Sequence, residues 1–278
     1  MRSFRSSMFR IALIALNSAR EAIRQRLFHF VALLAALLVV SSQWLGDLNF
    51  GSSELKFIAD FGFGALALFG SALSIVATAQ LFFSEIEHRT ALTLMARPIW
   101  RIEFITGKFL GVLAVIGSFS VILTGVLVSV LWCRESMLMS QVPEVFAHGR
   151  AVDYSAVIGA GFAQALKFCL LSALTLLIAT YARSQLFATA SGFMILAICH
   201  LQFLSQSAVV GTAGGGGRLL ARVVAVSLPN FQRFDFSNSI GSGDGIGWVQ
   251  LAQLTFYTMI YAAATCILAS FVFGRREI

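Results

Sequence analysis

Residues 84–108 read SEIEHRTALTLMARPIWRIEFITGK and bring Glu85, Glu87, Thr90, Pro98, Arg101, Gly107 and Lys108 into one short stretch. No nucleophile–base pair sits there, so the chemistry on offer is ionic recognition rather than catalysis. Residues 90–96 have the composition of a short helix, and Pro98 stops it because proline bars the preceding residue from helical geometry. Trp100 and Phe104 are suited to anchoring at a membrane interface. Gly107 permits close packing where the next apolar run begins. A short helix between two apolar runs, flanked by both charge signs, suits docking into a groove on a cytoplasmic partner; a solvated charged loop is the plainer alternative.

Other strings imitate known chemistry. Gly214 to Gly217 suggest a phosphate loop, but no Gly-Lys-Ser/Thr follows. Gly241-Ser242-Gly243-Asp244 spells the GxGD of intramembrane aspartyl proteases, which need a second carboxylate converging in the bilayer. No HExxH or GxSxG occurs. Cys133, Cys169, Cys199 and Cys266 are isolated, with no CxxC, and read as small apolar side chains. The expectation is no catalytic residue, no metal and no cofactor. Lys167 lies deep inside an apolar run, which makes it a candidate for a translocation path by default. The bland reading lets its chain snorkel to the outer headgroups or pack locally. His200 reads as a hydrogen-bonded structural histidine.

The elements that must position these residues are apolar runs at 28–45, 61–83, 108–132, 157–181, 186–205 and 248–273. The run from 61 to 83 holds 23 residues without a charge. Roughly 20 apolar helical residues cross a ~30 Å hydrocarbon layer, and backbone groups in lipid must be satisfied within the helix. The expected fold is an all-α membrane protein: one permease-like domain over 1–278 with six transmembrane helices. Charged residues make up 12% of the chain, about half the share in soluble domains. With six spans in 278 residues, a soluble catalytic domain is not expected.

An even span count puts both termini on one side. That side would hold 13 Lys and Arg against six on the other, so the positive-inside rule makes it cytoplasmic. The net charge of +7 thus reads as topology and contact with anionic lipid, not as a nucleic-acid footprint. Residues 8–27 alternate a stripe of Arg10, Asn17, Glu21 and Arg24 with one of Phe9, Leu13, Leu16 and Ile23, the pattern of an amphipathic helix on the cytoplasmic leaflet. The first apolar run is read as a retained span rather than a signal peptide. Residues 133–156 are expected to be a partly helical outer cap. Residues 206–247 form the longest connection, with a short surface helix around Arg218 and Arg222.

Glu85-x-Glu87-x-x-Thr90, then Pro98-x-x-Arg101-x-x-Phe104 and Gly107-Lys108-x-x-Gly111, resemble the NosY-like branch of ABC transporter permeases, often described as the permease component for multi-copper enzyme maturation. The likeness continues in Asp60-Phe61-Gly62, in Leu228-Pro229-Asn230-Phe231 and in Gly274-Arg275-Arg276-Glu277. Arg89 departs from it, standing where many relatives have Gly. The resemblance implies a six-helix exporter subunit in a bacterial-type inner membrane, two such subunits pairing as a homo- or heterodimer, and two separate ABC ATPase subunits below. It places the coupling helix in 84–106 and lets outer elements before the last span close the exit. A membrane anchor that transmits ATPase work without export, a secondary transporter and an intramembrane enzyme are the other classes. The last two are disfavoured by the lack of acidic residues in the apolar runs.

Overall fold

The computed structural model describes residues 2–45, 54–87, 101–141, 150, 152–211, 228–236 and 247–274. The helices are α1 (Arg2–Ile23), α2 (Arg26–Leu45), α3 (Glu54–Glu87), α4 (Arg101–Gln141), α5 (Tyr154–Tyr181), α6 (Gln185–Gly211) and α7 (Trp248–Gly274), with a 3₁₀ turn at Phe231–Phe234. No strand occurs among the described residues.

Each of the six apolar runs lies in a helix. Four of these helices, α3, α4, α5 and α7, are long and apolar enough to cross a membrane. A fifth crossing is possible if α1 and α2, bent by 63° at their junction, act as one broken span. α6, 27 residues long, contains the apolar run 186–205. The chain is therefore an all-helical, multi-pass membrane protein. The surface helix expected around Arg218 and the helix expected at 90–96 lie outside the described residues.

Buried residues make up 67% of the apolar stretches of α3 and α5 but 33% of that of α7, so α3 and α5 are central and α7 peripheral. Lipid is as apolar as leucine, so helices associate there through close packing of small residues rather than through exclusion of water. A methyl at Gly70 of α3 would stand 2.3 Å from the Phe168 ring of α5. Hydroxyls in these seams bond back to their own helix: Ser74 to the Gly70 carbonyl, Thr78 to Ser74, Thr175 to Leu171 and Thr265 to Tyr261.

α4 has 41 residues and is roughly 60 Å long, twice the hydrocarbon thickness. The first part of the expected outer cap is therefore a continuation of α4. Its far end is tied down by Arg134, which pairs with Glu54 at the start of α3. Glu135 accepts from the Val152 amide at 3.2 Å and from the Tyr154 hydroxyl. Asp153 caps α5 by accepting from the Ser155 amide at 2.9 Å.

Candidate functional site

Two regions of the bundle carry the residues singled out in the sequence. At the first end, α3 finishes at Glu87 and α4 begins at Arg101. Glu85 and Glu87 belong to the last turn of α3, whereas Thr90 and Pro98 lie outside the described residues. Phe82 and Phe83 of α3, Phe104 and Phe109 of α4, Ala182 and Phe273 share one buried cluster. The Phe104 and Phe273 rings stack at 5.9 Å, and Phe82 meets Phe273 edge-on at 5.9 Å. Phe104, expected as an interfacial anchor, instead joins the start of α4 to the end of α7. A cleft of about 790 Å³ opens beside it, lined by Tyr181, Arg183, Phe187 and Phe271.

The first turns of α4 form a seat for α1. Gly107 and Gly111 lie four residues apart on one helix face. A Cβ at Gly107 would come within 2.8 Å of the Ile14 side chain. At Gly111 it would come within 2.6 Å of the Ser18 Cβ and 3.0 Å of the Ala15 carbonyl. Glu103, 4% exposed, accepts from the Ser7 hydroxyl and faces the Arg10 guanidinium at 3.8 Å. Lys108 is 1% exposed. The structure thus brings Gly107 and Lys108 together with Glu103 inside the chain.

α1 has three faces rather than two. Ile14, Ala15, Ser18 and Ala19 lie on the α4 side; Met8, Phe9, Leu13 and Leu16 are exposed; Arg20 and Arg24 belong to a polar stripe that lines a small cleft with Asn17 and Glu21. The exposed apolar stripe is the one expected from the sequence. The small-residue face was missed, although the four-residue spacing of Gly107 and Gly111 signalled that some helix must approach closely.

The second region is built around Lys167 in α5, 14 residues before the helix ends at Tyr181, or about 21 Å along its axis. Lys167 is 4% exposed. Its Nζ lies 5.9 Å from the centre of the Phe231 ring, a cation–π contact. Phe231 and Phe234 of the 3₁₀ turn are fully buried, against Ile75, Leu170, Leu171 and Cys199. The Asn230 side chain caps the turn by accepting from the Gln232 amide at 2.9 Å. His200 of α6 meets Phe231 edge-on at 5.9 Å and bonds to its own helix at the Leu196 carbonyl, 3.1 Å away. Among the described residues, no three His, Cys, Asp or Glu side chains converge as a metal site.

Residues 12–215 match the family described as "ABC-2 family transporter protein". No curated protein matches the chain.

Proposed function

The chain belongs to the ABC-2 transporter family, whose members are the membrane permease components of ABC transporters; from that premise we propose that it is an exporter subunit of the NosY-like branch, driven by separate ATPase subunits docking at 84–106. The observation that carries this reading is the span of the family match, which runs from α1 through the 84–106 connection to α6. Two copies of the ATPase serve a pair of permease subunits, this chain and an identical or related partner. Both termini and the 84–106 connection face the cytoplasm of a bacterial-type inner membrane, with six crossings and α1 lying at the leaflet surface.

Glu85, Glu87, Thr90, Pro98 and Arg101 form the docking element, while Gly107 and Lys108 root it in the bundle. A push on 88–100 is delivered to the start of α4, which is fastened to α1 by Glu103, Ser7 and Arg10 and to α7 by Phe104. The three helices therefore receive the push together. ATP need only favour one of two packings of the bundle for access to alternate.

Glu87→Arg tests the docking element. Truncating one member of a buried interfacial charge pair costs roughly 2–5 kcal/mol, and reversal should be no milder. Expected is loss of the co-purifying ATPase, or of substrate-stimulated ATP hydrolysis, with membrane insertion intact. The purified chain alone should hydrolyse no ATP. Wild-type assembly and hydrolysis in Glu87→Arg, and also after residues 90–96 are replaced by a Gly/Ser linker, would show 84–106 to be a solvated loop.

A further inference from the structure

We propose that the cleft at the α5–α6 turn binds an anionic phospholipid, with the headgroup phosphate on Arg183 and an acyl chain along Phe187 and Phe271. The proposal needs only a membrane-crossing bundle and stands apart from the exporter reading.

The cleft lies at the level of lipid headgroups. α5 and α7 are both long and apolar enough to cross a membrane, and they end at Tyr181 and Gly274. Those two ends are level, because Ala182 and Phe273 share one buried cluster. The α5–α6 turn therefore sits at the edge of the hydrocarbon layer, and the cleft opens beside it. Its lining changes character with depth. Arg183 and Ser184 belong to the turn itself, with the exposed Tyr181 phenol next to them. Phe271 stands before the end of α7 and Phe187 after the start of α6, so both rings are rooted roughly 3–5 Å further into the bundle. A cation and hydroxyls at the rim with aromatic rings below them follow the order of a phospholipid read from headgroup to chain.

Charge decides which lipid fits. Phe187 and Phe271 are 55% and 61% exposed, and the hydrocarbon of any lipid covers them equally well. Arg183 is exposed; among the described residues, no carboxylate lines the cleft and none pairs with Arg183. A guanidinium grips a phosphate through two parallel N–H bonds. In a zwitterionic lipid the headgroup ammonium opposes that attraction, whereas a glycerol headgroup leaves the phosphate charge whole. The cleft, about 790 Å³, is of the size usual for small-molecule sites. A headgroup and the upper part of one chain fit, the rest of the lipid remaining in the bilayer.

The test is competitive binding to the full chain, purified alone and with whatever ATPase accompanies it. Phosphatidylglycerol and phosphatidylcholine with the same acyl chains are supplied in equal amounts, and native mass spectrometry reads the species that carries one lipid. Phosphatidylglycerol should be retained about fivefold over phosphatidylcholine, the preference that one basic residue contributes near an anionic surface. Arg183→Gln should bring the ratio to near parity with the melting temperature unchanged, and Arg183→Lys should keep most of the preference. Arg24→Gln, which removes the same charge from α1, should leave the ratio as it is. Phe187→Ala combined with Phe271→Ala should lower the binding of both lipids without changing their ratio.

Equal retention of the two lipids by the wild type, a preference that survives Arg183→Gln, an equal loss in Arg24→Gln, or displacement of the lipid by soluble glycerol phosphate would overturn the site. Exclusion of phosphatidylglycerol from the ATPase-bound complex would overturn it in favour of a protein interface.

Discussion

A methyl group at Gly111 would meet the Ser18 Cβ at 2.6 Å and the Ala15 carbonyl at 3.0 Å, and a backbone atom cannot swing aside. Gly111→Leu should therefore push α1 off its seat. Overpacking of this kind costs roughly 1–3 kcal/mol, so the melting temperature in detergent should fall. Gly117, two turns along α4 with nothing within 4 Å of an added Cβ, is the control. Gly117→Ala should be neutral or stabilising by up to ~1 kcal/mol, since alanine is the better helix former. Equal losses in the two variants would show that α1 does not bear on Gly111. The spacing of Gly107 and Gly111 was legible in the sequence; the identity of the approaching helix was not. It comes from α1, far away in the chain, and a stripe of small residues carries no label for its partner.

Between α1 and α4 the polar clasp is as telling as the glycines. Glu103 is buried with Ser7 and Arg10 as its partners, and bonds to charged groups contribute roughly 1.5–3 kcal/mol. Glu103→Gln should loosen α1, and limited trypsin digestion after Arg20 and Arg24 should accelerate while the core helices stay protected. At the head of α5, the Ser155 hydroxyl bonded to Asp153 holds the Asp153 carboxyl below the usual carboxylate range. A carboxyl depressed in the folded state stabilises above its unfolded pKa, and that contribution disappears as pH falls through the lower folded value. Asp153→Ala should cost about 0.5–2 kcal/mol at neutral pH, whereas Asp153→Asn keeps the cap and removes its acid sensitivity. Melting temperatures at pH 7 and pH 3 check both. The amphipathic stripe of α1 was readable because its period is helical. Glu103 read only as one more charge in a charged connection, because burial of a carboxylate depends on a helix that sequence alone does not bring alongside.

Taken whole, the molecule is a set of antiparallel helices whose two ends differ in chemistry, one aromatic around Phe104 and Phe273, the other tied by Glu54, Arg134 and Glu135. Reporters fused after Ile278 and within 84–106 should read cytoplasmic, and those near Gly149 and Gly215 external. A cytoplasmic signal at Gly215 would rule out six crossings. The long apolar runs were plain in the sequence because hydropathy is a local property. The status of α2 was less so, since a bend of 63° where it meets α1 decides whether it crosses alone or as half of one broken span. Lys167 was recognisable as anomalous, but Phe231 reaches it from another part of the chain. The hydroxyls of Ser74 and Thr78 have a consequence for how such a bundle can move. Because each is satisfied by its own helix, α3 carries its polarity with it and can slide without breaking those bonds. What opposes sliding is packing, such as the Phe168 ring set against Gly70, rather than those bonds. Ser74→Asn, with an amide long enough to grip a neighbouring helix, should act as a brake: turnover falls while thermal stability holds or rises.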